Sequence, residues 1–149
     1  MAGTVGEGAP TSTASALSLV ELLTVAQRRV ARGLAQALAE EGCTLDQWRV
    51  MRALADGQGH LMGELAEALQ IPQPTLTRLM DGLVDSSQVY RRQAGGDRRK
   101  VAVHLSRKGQ ARLVRLDALV QAHEAALTAR GRDAWQVVRR ALDGLVRAD

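Results

Sequence analysis

The sequence predicts a mainly α-helical chain of about six helices, with one two-stranded β-hairpin between the fourth and the fifth. Three observations carry that expectation. Apolar residues make up 46% of the 149 positions, yet aromatics are only 2% and Phe is missing altogether. A core built from Leu, Val, Ala and Met suits packed helices better than layered sheets. Apolar residues also recur at helical spacing towards both ends of the chain, and between residues 88 and 105 the period changes to alternation around a glycine-rich turn.

The elements follow in order. From Leu17 to Glu41 the stripe Leu19, Leu23, Ala26, Val30, Leu34, Leu38, widened by Leu22 and Ala37, predicts a long amphipathic helix stopped by Gly42. Thr44 or Leu45-Asp46 opens a second helix, with Trp48, Met51, Leu54 and Ala55 inward, ending at Gly57-Gln58-Gly59. Gly63 to Leu69 reads as a short third helix with Leu65, Ala66 and Leu69 on its buried side. After a break at Gln70-Ile71-Pro72 a fourth helix runs from Gln73 to Asp85, with Pro74 in its first turn, where a missing N–H costs nothing. Leu76, Leu79, Met80 and Leu83 face inward, which leaves Gln73, Thr75, Thr77, Arg78 and Asp81 nearer the open side.

Gln88 to Gln93 and Lys100 to Leu105 read as strands joined by Ala94-Gly95-Gly96-Asp97. Ser106 caps a fifth helix reaching about Ala129, with Leu113, Leu116, Leu119 or Val120, His123 and Leu127 as its stripe. Gly131 interrupts. The last helix spans Asp133 to about Val146, with Trp135, Val138, Leu142 and Leu145 inward. A short helix, tight turn and helix followed by a hairpin is a winged helix-turn-helix.

Residues 1–16 are small and polar, with Glu7 the single charge, and are expected to form a disordered leader ahead of one unit over 17–149. They lack the basic flank and apolar run of a secretory signal, and no apolar stretch approaches membrane-spanning length, so the expected location is cytoplasmic. Cys43 stands alone, and His60, His104 and His123 are scattered, so neither a disulfide nor a zinc site is expected. No phosphate loop, spaced triad or paired carboxylates suggest an enzyme, and no cofactor is expected. The net charge of +4 is modest, but Arg91, Arg92, Arg98, Arg99 and Lys100 crowd ten positions against Asp97 alone. Such a run is either a solvated loop or a phosphate-contacting element.

Four segments resemble the MarR family. Leu45-Asp46-Gln47-Trp48-Arg49-Val50-Met51-Arg52-Ala53-Leu54 is similar to its second helix and Glu64-Leu65-Ala66-Glu67-Ala68-Leu69 to its third. Pro74-Thr75-Leu76-Thr77-Arg78-Leu79-Met80-Asp81 resembles its recognition helix. Asp97-Arg98-Arg99-Lys100-Val101, continuing through Val103-His104-Leu105-Ser106 to Lys108-Gly109, resembles its wing and the start of its fifth helix. The resemblance implies a homodimer on a pseudo-palindromic duplex-DNA operator, usually a repressor, and in many members release by a small aromatic or anionic effector. Residues 17–42 and 106–147 would form the dimerisation helices and 45–105 the DNA-binding region. Two departures stand out: Leu61 occupies a position where the family often has a Thr or Ser cap, and Asp85-Ser86-Ser87-Gln88 replaces a turn that commonly contains Gly.

On this reading Gln73, Thr75, Thr77 and Arg78 reach base edges or phosphates at a major groove, Arg78 having the side chain best shaped for guanine O6 and N7. Arg99 matches the family's wing-tip arginine and Asp97 the acid that braces it, with Arg98 and Lys100 on phosphates. Cys43 is expected to be structural, Trp48 and Trp135 to be core residues, His60 and His104 polar surface residues, and His123 a hydrogen-bonded interface residue. A winged fold can also dock proteins, so a protein-binding adaptor is the alternative function.

Overall fold

The computed structural model describes residues 17–93, 100–129 and 131–147. The leader, and with it the hairpin tip bearing Asp97, Arg98 and Arg99, lies outside these.

Local chemistry sets the helix boundaries. Helix α1 (Leu19–Ala39) starts at a capping box in which Ser18 Oγ accepts from the Glu21 N–H while the Glu21 carboxylate accepts from the Ser18 N–H. It ends in a Schellman turn: Cys43 N–H donates to Leu38 O and Gly42 N–H to Ala39 O, with Gly42 at φ 61°. Thr44, not Leu45 or Asp46, caps α2 (Leu45–Ala53), paired reciprocally with Gln47. A single 3-10 turn over Leu54–Asp56 follows.

The short strand β1 (His60–Leu61) leads into α3 (Met62–Leu69). Leu61 has no oxygen to offer, but the Glu64 carboxylate accepts its N–H at 3.1 Å, so half a capping box survives the missing Thr or Ser. Gln70, at φ 52°, closes α3 with the same two-bond turn, Ile71 N–H to Ala66 O and Gln70 N–H to Glu67 O. Helix α4 (Gln73–Asp85) has the predicted limits, with Pro74 in its first turn. Strands β2 (Val89–Gln93) and β3 (Val101–Leu105) pair antiparallel, Arg91 opposite Val103 and Arg92 opposite Ala102. Helices α5 (Arg107–Thr128), capped by Ser106 Oγ on the Gly109 N–H, and α6 (Arg132–Val146) complete the described chain.

The sheet has three strands, in the order β1-β3-β2, one more than expected. Two residues are too few to show a period of two, so β1 left no signal in the sequence. Its pairing, His60 with Val103 and Leu61 with Ala102, anchors the hairpin base to the start of α3.

Leu38, Val50, Met51, Leu54, Leu65, Leu76, Met80, Leu83, Val89, Val103 and Leu116 fill one aliphatic core under the winged unit. Ala55 is exposed, against expectation, because the turn over Leu54–Asp56 breaks the helical phase. The end helices differ more. Leu38 is the buried residue of α1, whereas Leu19, Leu22 and Leu23 lie open at 67%, 51% and 37% exposure. The stripe of α6 is also exposed: Trp135, Val138, Leu142 and Leu145 are only partly covered by the described residues. Leu127 is likewise open, while His123 packs against α1 at Gly33, where an added Cβ would sit 2.8 Å from the imidazole Cε1. The His123 Nε2 is buried and meets no hydrogen-bond partner among the described residues.

After α4 the turn is a third Schellman motif, Gln88 N–H to Leu83 O and Ser87 N–H to Val84 O, both 2.8 Å. Here Ser87 holds φ 59°, a conformation that crowds any Cβ. The Ser87→Gly variant is expected to gain about 0.5 kcal/mol, relief of that strain exceeding the added unfolded-state entropy of glycine. Urea unfolding at fixed protein concentration reads this directly, and a lowered midpoint would contradict it.

Candidate nucleic-acid interface

Helix α4 is two-sided by construction. Leu76, Met80 and Leu83 are buried on the core, and the intervening positions Gln73, Thr75, Thr77 and Arg78 are all exposed. The fold thus brings these four sequence-predicted side chains onto one open surface. Thr77 Oγ1 donates to its own helix at Gln73 O (2.9 Å), leaving the hydroxyl oxygen able to accept. Arg78 makes no ion pair among the described residues, so its guanidinium is uncommitted there.

The basic run of the hairpin divides on folding. Arg91 Nη2 lies 2.5 Å from Asp81 Oδ1 of α4, tying the second strand of the sheet to the helix. That contact consumes one of the cations that the sequence assigned to a common field, and it neutralises the acid beside the open face of α4. An unpaired carboxylate there would repel phosphate. Arg92, one residue on, must face the opposite side of the strand. Lys100 is exposed at the start of β3. Asp97, Arg98 and Arg99, the other proposed wing residues, lie outside the described residues.

Three contacts that hold the interface in place were not legible in the sequence. Trp48 Nε1 donates to Asp117 Oδ1 (2.9 Å) and Arg52 approaches Oδ2 at 3.4 Å, so α2 is tethered to α5 across 69 and 65 positions. Arg112 donates to both Glu41 O and Gly42 O at 2.9 Å, supplying the cation that the last turn of α1 lacks. Lys108 Nζ donates to Ser86 O at 2.8 Å, satisfying the end of α4. Each pairs a side chain with a group far along the chain, where periodicity is silent.

The remaining singled-out residues are occupied structurally. Cys43 is 3% exposed, and burial pushes its thiol up from the ordinary range despite the opposing Arg112 charge. A thiol so placed is a poor nucleophile at neutral pH. His60 and His104 are half-buried. His60 Nε2 sits 2.8 Å from Asp56, whose carboxyl is held low by the Gln58 N–H first and by His60 second. His104 stacks on Tyr90, centroids 5.2 Å apart.

Comparisons with known proteins agree with this architecture. The sequence model of the MarR family matches residues 41–100. The HTH-type transcriptional repressor YetL of Bacillus subtilis (strain 168) is 32% identical over 77 residues, covering 50% of this chain and 46% of that protein, so the match spans just under half of the relative's length. The solved structure of the transcriptional repressor CouR bound to a 23-mer DNA duplex superposes with a TM-score of 0.82 at 29% identity, covering 95% of this chain and all of that one (100%). CouR bound to p-coumaroyl-CoA gives 0.77 at 28% identity, over 92% of this chain and 96% of that one. A point mutant of MarR from E. coli complexed with operator DNA gives 0.76 at 26% identity, over 85% and 92% of the two chains. Among the described residues, no helix is long and apolar enough to cross a membrane. The helix-turn-helix region is matched in sequence and the fold along nearly the whole chain in structure, so the chain is similar to the winged helix-turn-helix regulators of the MarR family.

Proposed function

We propose that the protein is a homodimeric, sequence-specific reader of duplex DNA that acts in the cytoplasm on a pseudo-palindromic operator. The carrying observation is the open face of α4, where Gln73, Thr75, Thr77 and Arg78 stand together and Asp81 is already neutralised by Arg91. Helix-in-groove reading needs such a face: polar, cation-bearing, and braced from behind by an apolar core. Lys100 and Arg98 serve phosphates, and Arg99, braced by Asp97, enters the minor groove beside it.

A second copy accounts for the apolar surface left on α1 and α6. Leu19, Leu22, Leu23, Val138, Leu142 and Leu145 are each at least 37% exposed, more than a stable monomer leaves open on two helices. A two-fold protein then matches a two-fold site. Repression and its relief by a small aromatic or anionic molecule are the finer reading, supported by a relative named as a transcriptional repressor and by a neighbour solved with p-coumaroyl-CoA.

The test is an anisotropy titration with a duplex from the region upstream of the protein's own gene, run as a salt series. A negative log–log slope with preference over random duplex supports the reading; a slope near zero favours a protein-binding adaptor instead. Arg99→Ala is expected to weaken operator binding by about 1–3 kcal/mol with the dimer intact by light scattering. Unchanged affinity at physiological salt would remove Arg99 from the interface.

A further inference from the structure

The register of the hairpin sorts its cations by face. Residues opposite each other in an antiparallel pair share a face, and successive residues alternate. Arg91, opposite Val103, lies on the side that packs toward α4, as its pairing with Asp81 shows. Arg92, opposite Ala102, and Tyr90, opposite His104, lie on the other side. There Arg92 and Lys100 line the same cleft of about 520 Å³, walled at its base by Leu61, Ala102 and His104 and flanked by Gln58.

This cleft opens away from the recognition helix. Its acid, Glu64, is engaged by the Leu61 N–H, and neither Arg92 nor Lys100 has an ion-pair partner among the described residues. Two exposed cations meeting a glutamine amide across an open cleft form a surface suited to a phosphodiester strand, whose charge they match and whose bases they do not read.

The geometry points to a second DNA contact on the outer face of the wing: Arg92 and Lys100 hold the phosphate backbone flanking the half-site, beyond the groove that the wing itself enters. It rests on the duplex-binding reading above and extends it outward. With α4 in the major groove, the face of the hairpin turned from α4 looks along the duplex to the next stretch of backbone. Affinity should therefore depend on flanking length without depending on flanking sequence.

The experiment uses the full chain and a duplex enriched by the wild-type protein from a random-sequence library. One probe is trimmed to the protected core; the other carries the same core extended on each side by one helical turn, about 10 bp. Wild type should bind the extended probe on the order of tenfold more tightly, with a steeper salt dependence. R92Q should lose much of that gain, its salt slope on the extended probe falling by about 1 per protomer, while its affinity for the core probe matches wild type. Equal losses on both probes would place Arg92 inside the half-site, and no loss on either would leave the outer face without a DNA role; both results overturn the proposal. R78A serves as the comparison and should weaken both probes alike. If wild type enriches no duplex at all, the DNA-binding reading itself falls.

Discussion

Gly109→Ala is expected to destabilise the protein by about 3 kcal/mol, by overpacking a site where the neighbouring atom is main chain. A Cβ built on Gly109 would lie 2.1 Å from the carbonyl oxygen of Gln88 and 2.7 Å from Leu105 Cδ1. The Leu105 methyl can rotate away; the carbonyl cannot. It accepts the Ser106 N–H at 2.9 Å, and the N–H of the same residue closes the turn after α4 on Leu83 O at 2.8 Å. Val89, next in the chain, pairs with Leu105 in the sheet. Relief therefore requires the first turn of α5 to lift, breaking the Ser106 contact and the seam between α4, β3 and α5 together. Losing a buried backbone hydrogen bond adds about 1–3 kcal/mol to the steric term.

Urea unfolding at fixed protein concentration, with Gly82→Ala alongside, checks this. An added Cβ on Gly82 meets nothing within 4 Å, so that alanine should stabilise α4 by about 0.5–1 kcal/mol through helix propensity alone. Opposite signs for the two glycines are the expected result. A loss at Gly109 below about 1 kcal/mol would mean that the seam yields, and that close approach does not explain the Lys108-Gly109 pattern.

Arg78→Ala is expected to lower operator affinity by about 1–3 kcal/mol, and to lower affinity for random duplex by much less. The asymmetry follows from where the guanidinium stands. It is exposed on the face of α4 opposite Leu76 and Met80, and the nearest acid on that face, Asp81, is already bound to Arg91. With no ion pair among the described residues to break, truncation should leave stability unchanged and remove a contact made only with DNA. A planar fork on two acceptors of one guanine discriminates among bases, whereas a phosphate contact does not. Competition between enriched and random duplexes separates the two: equal losses on both would make Arg78 a backbone contact.

Much of the winged unit was legible from its sequence because its elements are short, amphipathic and sharply punctuated. Helix α4 runs from Gln73 to Asp85 as its period of burial and Pro74 indicated. Leu65, Leu76, Met80, Leu83, Leu113 and Leu116 face the core from the positions their spacing required. The same logic misled at the ends. An apolar stripe says that a face avoids water, not which chain covers it. On α6 the expected inward residues Trp135, Val138, Leu142 and Leu145 are exposed, only partly covered by the described residues. The basic run was likewise visible as composition, but alternation of side chains and the position of Asp81 on α4 decided that Arg91 is internal.

By itself the sequence determined the order and type of the elements, the aliphatic make-up of the core, and the polar face that α4 turns outward. Those are properties of neighbours within a turn or two, where covalent spacing sets geometry. Only the tertiary structure decided that His60–Leu61 joins the sheet, that Asp117 tethers Trp48 and Arg52, that Arg112 caps α1 from 70 or more residues away, and that Gly109 must carry no side chain. Each depends on two segments distant in the chain arriving within about 3 Å of one another, a coincidence that packing creates and that no local period records.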